Sequence, residues 1–312
     1  MENTTKVSEN LELFSDVFSE SCNYLYEITK KDYFQLILLT AENILAGKVL
    51  NDFDDETIKK LEDIYKPLED VSFNVEDVRK TFQAQVLRAF KELNLDNGYA
   101  TPDTLGILCA YLISRLKPKQ KNYSICDPLM GTGNLIYTIS NHLDANLNLF
   151  GCDHDVRFVK LAKVQADLLE TPIEIFFEDT FNLNLSNMDF VVFDSPNIFD
   201  DSDYFPYKAV MKYLSFLKDD GYMIGVLPID FFEHDPDKKF KNEFSKIASV
   251  MGIIELPDDF FKSNKKVIVV FEKKIRKEKN CFMVKLPSFS DVNLFNEELI
   301  KLESWFNENI KD

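Results

Sequence analysis

The sequence predicts an all-helical N-terminal domain followed by an α/β domain built on a mostly parallel sheet. Residues 1–97 carry apolar positions at helical spacing and almost no glycine, which is typical of packed helices. From residue 100 onwards, short β-rich runs alternate with segments of helical length, as in parallel sheets covered by helices on both faces. The chain has 312 residues, enough for about two domains. We therefore expect one domain over residues 1–97 and another over residues 98–312.

Two segments of the helical domain show the clearest amphipathic pattern. Residues 7–29 and residues 75–93 each place a recurring apolar face along one side of a helix. The acidic stretch at residues 51–56 precedes a further helix, because negative side chains favour the positive end of the helix dipole. We expect Asn97 and Gly98 to end this domain as a helix C-cap or a turn.

The α/β domain contains seven predicted strands. They cover residues 123–126, 147–152, 173–177, 190–193, 222–227, 252–256 and 267–271. The predicted helices cover residues 134–143, 156–169, 204–217 and 240–250, and a terminal helix covers residues 299–310. Too few residues separate the last two strands for a crossover helix, so we expect that pair to be antiparallel. Trp305 lies on the terminal helix, where we expect it to pack in the core.

Charge and composition narrow the range of functions. The chain carries 53 acidic and 36 basic residues, a net charge of −17, whereas strong nucleic-acid binders are normally basic. Any contact with nucleic acid therefore needs a local basic patch. The N-terminus lacks a secretory signal, and no apolar run approaches the roughly 18 residues of a membrane span, so we expect a cytoplasmic protein without membrane contact. The five cysteines and three histidines lack metal-ligand spacing, which predicts buried free thiols and no metal site.

A glycine-containing turn follows the first predicted strand. Its sequence, Asp127-Pro-Leu-Met-Gly131-Thr-Gly133-Asn134, opens the next helix. Glycine lets the backbone approach a ligand closely, and the free amides of a helix N-terminus bind polar groups. Ile136 replaces the third glycine of a dinucleotide-binding motif, and Asp127 suits a cationic amine or sulfonium better than a pyrophosphate. A tight turn without a ligand is the structural alternative.

This turn resembles the D-P-x-x-G-T/S-G signature of class I S-adenosylmethionine-dependent methyltransferases, in their N6-adenine DNA methyltransferase branch. It is similar to small Gram-positive members that lack a separate target-recognition domain. The resemblance covers about residues 98–275. It implies a Rossmann-like class I methyltransferase sheet with an antiparallel last strand, and S-adenosylmethionine as the cofactor. The cofactor-binding residues that it implies are Thr101, Asp127, Pro128, Met130, Gly131, Thr132, Gly133, Asn134, Asp153, His154, Asp179 and Thr180.

We expect individual roles for three of these residues. Asp153 ends the second strand, where an acid can hold both ribose hydroxyls; a helix cap is the alternative, although Asp155 fits that position better. The resemblance implies that Asp179 contacts the adenine amine of the cofactor and that Thr101 meets its methionine carboxylate. A turn-starting aspartate and a Thr-Pro helix start are the corresponding structural alternatives.

The fourth strand ends in Asp194-Ser195-Pro196-Asn197, which resembles the Asn/Asp-Pro-Pro-aromatic catalytic motif of this family. In that motif the acid or amide side chain and the next carbonyl accept the adenine N–H groups, and the aromatic ring stacks on the extruded base. Asp194 and Pro196 match, whereas Ser195 replaces the first proline and Asn197 replaces the aromatic residue. Phe199 is the predicted substitute for stacking, and a plain turn is the structural alternative. The other aromatic candidates are Tyr204, Phe205 and Tyr207.

Basic residues cluster near the last predicted strand. The cluster predicts a rim that contacts phosphates beside the catalytic cleft. Lysines that protect an edge strand from aggregation are the alternative. The rim candidates are Lys262, Lys265, Lys266, Lys273 and Lys274.

These features favour a methyltransferase that uses S-adenosylmethionine to methylate an amino nitrogen of a nucleobase. By resemblance the substrate is adenine in DNA, which makes nucleic acid the expected partner; the residues alone indicate an amine acceptor. Two alternatives remain. One is a non-catalytic protein that binds S-adenosylmethionine and carries a degenerate catalytic motif, and the other is a nucleotide-fold scaffold without a ligand.

Overall fold

The computed structural model describes residues 2–96, 100–200, 203–261, 263–276 and 280–310. Within these ranges a layer of helices precedes an α/β region built around an eight-stranded sheet. The predicted fold class is therefore confirmed. The predicted domain boundary between residues 97 and 98 lies outside the described residues.

The N-terminal layer is helical, as the periodicity of residues 7–29 and 75–93 predicts. Asp54 caps the third helix by accepting the Thr57 N–H at 2.8 Å, which explains why the acidic stretch precedes a helix. Phe18 and Phe82 are fully buried in this layer and meet edge to face, with 6.3 Å between ring centroids. The helices are α1 (Glu2–Thr29), α2 (Tyr33–Ala46), α3 (Asp55–Tyr65), followed by a 3₁₀ turn at Lys66–Leu68, and α4 (Val75–Glu92).

Ten strands follow in the described part of the chain. They are β1 (Asn122–Asp127), β2 (Asn146–Asp153), β3 (Ile173–Phe177), β4 (Met188–Asp194), β5 (Phe199–Asp200), β6 (Asp203–Tyr204), β7 (Leu217–Pro228), β8 (Ser249–Glu255), β9 (Lys266–Glu272) and β10 (Phe282–Lys285). β5 and β6 pair only with each other, and the other eight form the sheet in the order β10-β8-β9-β7-β4-β1-β2-β3.

The sheet is parallel except at β9, which is antiparallel to both β7 and β8. The prediction of an antiparallel last pair is therefore confirmed. The structure adds β10, which pairs in parallel with β8 and which the sequence analysis did not predict. Its four residues are too few to show a period of two above the background.

Helices cover both faces of the sheet. Phe190 and Val192 of β4 lie in a core shared with the N-terminal layer, whereas Val191 and Phe193 lie in a second core with residues of α8. This alternation follows from the period of two along a strand and confirms that the sheet is covered on both sides. The helices that follow the N-terminal layer are α5 (Asp103–Leu116), α6 (Asn134–His142), α7 (Val156–Leu168), α8 (Phe205–Leu214), α9 (Lys239–Phe244) and α10 (Val292–Asn309).

The N-terminal layer packs directly on the α/β region. Phe34 of α2 and Phe90 of α4 contact Phe158 of α7, with ring centroids 6.0 Å and 5.8 Å from that ring. The two parts therefore share one continuous apolar core. Aromatic pairs of this kind add about 0.5–1.5 kcal/mol each to the burial of their area.

Three smaller predictions concern the core and the surface. Cys22, Cys109, Cys126 and Cys152 are buried free thiols, as predicted, but Cys281 is exposed because it directly precedes the edge strand β10. Trp305 packs against Phe282 with 4.9 Å between ring centroids, which confirms its packing role. Among the described residues, no helix combines the length and the apolar character that crossing a membrane requires.

Candidate functional site

The parallel strands of the sheet end together at one edge. Asp127, Asp153, Phe177 and Asp194 are the last residues of β1, β2, β3 and β4. Ligands of open α/β sheets bind at this edge because the loops there diverge around a crevice. The candidate site is therefore built from these strand ends and the loops that follow them.

The glycine turn has the backbone conformation that its sequence predicts. Gly131 and Gly133 adopt positive φ angles of 54° and 92°, which favour glycine. A Cβ at Gly133 would lie 2.3 Å from the Tyr137 ring, so the turn also needs glycine for space. The Met130 N–H donates to the Cys152 carbonyl at 3.0 Å and ties the turn to β2. The turn thus presents the backbone at the N-terminus of α6 at close range to the crevice. Within the turn, Pro128, Met130 and Thr132 are buried.

Asp127 is the least satisfied acid of the site. Its side chain is 1% exposed, and Oδ1 accepts the Leu129 N–H at 3.1 Å. Oδ2 is buried and accepts no hydrogen bond from any of the described residues. Burial raises the pKa of this carboxyl well above its usual range, and the nearby Asp194 and Asp153 carboxyls raise it further. A buried carboxylate oxygen in this state fits a cationic or hydrogen-bond-donating ligand.

Asp153 has a double role in the structure. Its Oδ2 accepts the Gly131 N–H at 3.0 Å, and its Oδ1 accepts the Asp155 N–H at 2.7 Å, so the carboxyl supports the glycine turn. Burial raises the pKa of this carboxyl. Each oxygen keeps a second lone pair for a hydroxyl, so the arrangement allows the predicted ribose contact. His154 lies beside it but is 84% exposed in its side chain.

The end of β3 contributes an aromatic residue that the sequence analysis missed. Phe177 is 60% exposed and is the register partner of Asp153. The sequence contained the signal, since Phe177 ends the third predicted strand as Asp153 ends the second. Asp179 is exposed nearby and accepts the Phe181 N–H at 2.8 Å. Thr180 is buried, and its hydroxyl is hydrogen-bonded to Tyr213 at 2.8 Å, so this side chain serves packing.

The Asn134 side chain is hydrogen-bonded within the protein itself. It donates to the Thr101 carbonyl at 2.7 Å and to Asp103 at 2.9 Å, and it accepts from Arg79 at 2.5 Å. It therefore joins three segments of the chain, and only its backbone amide remains a candidate for the cofactor. The physical reason is that Arg79, from the N-terminal layer, is fully buried and needs acceptors there.

Arg79 is the second residue that the sequence analysis missed. Its guanidinium donates to Glu76 at 2.7 and 2.8 Å and to Asp103 at 2.8 and 3.0 Å. Burial alone would raise the pKa of Asp103, but the hydrogen bonds from Arg79 and Asn134 hold it below its ordinary value. The N-terminal layer is thereby bound to the start of α5 and to the glycine turn. A lone arginine on an amphipathic helix gives no sequence signal for such a contact.

Asp194 differs from Asp127 because both of its oxygens are engaged. The Thr101 hydroxyl donates to Oδ2 at 2.9 Å, and the Lys266 ammonium donates to Oδ1. The Asp194 and Lys266 side chains are only 9% and 12% exposed. Thr101 therefore contacts the predicted catalytic acid, whereas the resemblance implied a contact with the cofactor. Ser195, which follows, is fully buried and donates its N–H to the Val226 carbonyl at 2.9 Å.

A cluster of aromatic side chains includes Phe199, which follows Asp194 by five residues. Phe199 is 55% exposed, and its ring lies 5.0 Å from Tyr204 and 5.4 Å from His234. Asn197 does not replace the missing aromatic ring; its amide oxygen accepts from the Tyr204 hydroxyl at 3.2 Å. The other aromatic candidates are packed: Tyr204 is buried, Tyr207 stacks on Phe240, and Phe205 packs on Phe181. Among the candidates from the sequence, Phe199 is the one that offers a free face.

The predicted basic rim is wrong as a single surface. Lys265 and Lys266 stand at the start of β9, and Lys273 and Lys274 follow its other end. A strand of seven residues spans roughly 20 Å, so the two pairs of lysines lie at opposite ends of β9. Lys265 pairs with Asp258 at 2.7 Å, and Lys273 donates to the Leu217 carbonyl at 2.7 Å. Lys262 lies outside the described residues.

Comparisons with known proteins agree with this architecture. Residues 11–90 match the family described as the YtxK N-terminal helical domain. The uncharacterized protein YtxK of Bacillus subtilis (strain 168) is 29% identical over 274 residues, which is 81% of this chain and 83% of that protein.

Solved structures extend the likeness to the whole chain. A protein of Listeria monocytogenes, provisionally assigned to the class I S-adenosylmethionine-dependent methyltransferases, is 26% identical with a TM-score of 0.87, covering 96% of this chain and 99% of that one. The methyltransferase subunit of a type I restriction-modification system from Streptococcus thermophilus is 16% identical with a TM-score of 0.57, covering 96% and 93%. The chain thus has the class I S-adenosylmethionine-dependent methyltransferase fold. The resemblance predicted from the glycine turn is confirmed, and the predicted cofactor is the one named for the Listeria protein's class.

Proposed function

We propose that this chain binds S-adenosylmethionine at the glycine turn and directs its methyl group to an amino nitrogen of a nucleobase, with adenine in DNA as the substrate. The observation that carries the proposal is Asp127, whose buried Oδ2 has no partner among the described residues. Asp127 ends β1, just before the two glycines of positive φ, and Asp194 ends the neighbouring strand β4. An acid so placed attracts a cationic amine.

The residues at this edge fit S-adenosylmethionine group by group. Asp127 would hold the amine, the amides at the N-terminus of α6 would face the carboxylate, and Asp153 would accept the ribose hydroxyls. Phe177 and Asp179 would take the adenine, by stacking and by hydrogen bonding. When bound, the cofactor supplies a methyl group made electrophilic by the sulfonium.

The acceptor side consists of Asp194, the Ser195 carbonyl and Phe199. The carboxylate and the carbonyl would accept the two N–H bonds of the amine and so increase the availability of its lone pair, while Phe199 would stack on the base. Methyl transfer then depends mainly on holding the nitrogen in line with the sulfonium carbon. The likeness to a restriction-modification methyltransferase subunit supports DNA as the substrate.

One observation favours a second function, that of a non-catalytic protein that binds S-adenosylmethionine. Thr101 and Lys266 already occupy both oxygens of Asp194. An acceptor amine must displace one of these donors or use a remaining lone pair. If neither happens, the glycine turn binds the cofactor and the chemistry does not follow.

Calorimetry and a transfer assay separate the two functions. We expect purified protein to release or absorb heat on titration with S-adenosylmethionine, and to transfer a radiolabelled methyl group to DNA rather than to RNA or protein. Asp194→Ala should abolish transfer and leave cofactor binding intact. The matched control is Asp258→Ala, because this exposed acid also pairs with a lysine. Absence of cofactor binding would refute the proposal, and binding without transfer to any acceptor would establish the second function.

A further inference from the structure

Lys266 reaches the candidate catalytic acid from a distant part of the chain. It is the first residue of β9 and the register partner of Pro228, at the end of β7. Asp194 is the register partner of Val226 on the other side of β7. The lysine side chain therefore extends over the end of β7 to meet Asp194, and both side chains are about nine-tenths buried.

The Lys266 ammonium makes the contact that the proposed function assigns to the acceptor. It is a nitrogen that donates a hydrogen bond to Oδ1 of Asp194. Unlike a nucleobase amine, an ammonium group has three donors and no lone pair, so it cannot accept a methyl group in this state. Lys266 thus occupies the acceptor position without being an acceptor.

Replacing this ammonium at Asp194 has an electrostatic cost. An acceptor that takes Oδ1 leaves the largely buried charge of Lys266 without its counterion, and such isolated charges are strongly disfavoured. A neutral nucleobase cannot compensate for the loss. A phosphate group on the same acceptor can, because it forms charge-assisted hydrogen bonds with the displaced ammonium.

We propose that Lys266 is a specificity-determining residue that reserves the acceptor position for nucleotides, whose phosphate takes over the ammonium released from Asp194. The proposal rests on the function proposed above for the same site. It also gives the anionic chain a local contact for nucleic acid that its net charge of −17 does not provide. Lys265 cannot play this part, since its ammonium pairs with Asp258 and both side chains are at least half exposed.

The test compares adenosine with adenosine 5′-monophosphate by calorimetry on the protein saturated with S-adenosylhomocysteine. We expect the wild type to bind the monophosphate at least about tenfold more tightly, a difference of about 1.4 kcal/mol. Lys266→Met should remove this preference by strengthening adenosine binding and weakening monophosphate binding. Lys266→Arg, which keeps the cation, should retain the preference. Lys265→Met is the matched control and should behave as the wild type.

Several outcomes would overturn the proposal. They are equal binding of the two probes by the wild type, binding of neither, or a preference that survives in Lys266→Met. Thermal unfolding of each variant checks that it is folded. If Lys266→Met does not fold, Lys266→Arg still tests the proposal, because it keeps the cation and should therefore keep the preference for the monophosphate. The initial titration with S-adenosylhomocysteine is a separate readout: its failure would refute the proposed cofactor site, whereas its success with an unchanged probe preference would refute only the role of Lys266.

Discussion

Asp127 and Asp194 end two adjacent strands of the sheet, β1 and β4, yet their carboxyls are in opposite states. One oxygen of Asp127 is buried without a partner among the described residues. Both oxygens of Asp194 accept hydrogen bonds from side chains of the chain itself. Asp127 therefore has an oxygen that is free to accept a hydrogen bond from a ligand, whereas a ligand at Asp194 must displace an internal donor or use a remaining lone pair.

The difference follows from what surrounds each acid. The glycine turn contributes backbone around Asp127 and no basic side chain that reaches its Oδ2, so burial leaves the charge uncompensated. Around Asp194, β9 runs antiparallel and brings the start of the strand, with Lys266, to the edge where the parallel strands end. If the proposed function holds, the same group of strand ends combines an unpaired buried acid that the cofactor satisfies with a paired acid at the acceptor position.

The largest expected effect concerns Arg79, through which the N-terminal layer supports the glycine turn in the half of the site around Asp127. Arg79→Met removes a fully buried guanidinium, so Asp103 loses its ion-pair partner and Glu76 keeps only the longer contact with Lys80. We expect a loss of about 3–5 kcal/mol in the free energy of unfolding, measured by urea denaturation.

The control for Arg79 is its neighbour on α4. Lys80 also pairs with Glu76, at 3.8 Å, but it is half exposed. Lys80→Met should therefore cost less than about 1 kcal/mol. Similar losses for the two variants would mean that Arg79 does not anchor the glycine turn.

The next prediction concerns Asp127, where we expect one substitution to weaken cofactor binding and to raise the stability of the ligand-free protein. Asp127→Asn keeps the shape of the side chain and removes its charge. We expect about 10- to 100-fold weaker binding of S-adenosylmethionine by calorimetry, which corresponds to the loss of one charge-assisted hydrogen bond. The ligand-free variant should nevertheless melt at a higher temperature at neutral pH, because it no longer buries a carboxylate without a partner.

The pH dependence gives the same variant a second readout. The folded protein holds the Asp127 proton more tightly than the unfolded chain, since burial raises its pKa. The ligand-free wild type should therefore lose stability as pH rises from the ordinary aspartate range through the raised pKa, and Asp127→Asn should lack this component. Glu174→Gln, at an exposed acid on β3, serves as the control. A variant that binds the cofactor as the wild type does would contradict the role of Asp127.

The smallest expected effects concern two exposed rings, Phe199 in the half of the site around Asp194 and Phe177 in the half around Asp127. Phe199→Ala should weaken binding of an adenine-containing single strand about tenfold, because stacking contributes about 1–3 kcal/mol per base. It should leave the affinity for S-adenosylmethionine and the melting temperature unchanged, since the ring is 55% exposed. Phe177→Ala should show the reverse pattern, weakening the cofactor and sparing the strand. Fluorescence anisotropy and calorimetry measure the two affinities, and a change in both by either variant would argue against separate subsites.

The sequence by itself determined the parts of this protein that depend on local pattern. The period of 3.6 gives the helices of the N-terminal layer, and the alternation of β-rich runs with helical segments gives the sheet with its antiparallel β9. The glycine turn, Asp127 and Asp153 follow predicted strands directly, and the resemblance to family motifs singled out the turn and Asp194. These features are encoded by neighbours in the chain.

Only the tertiary structure decided which partners these acids have. Lys266 lies 72 residues from Asp194, and Arg79 lies 55 residues from Asn134. In the sequence Lys266 is one of several lysines in a basic run, and extending that run as a strand sends its two ends to opposite edges of the sheet. The long side chains of lysine and arginine form such contacts wherever the fold brings an acceptor within reach. Their pairing is a property of the packed sheet and layer, which no local pattern encodes.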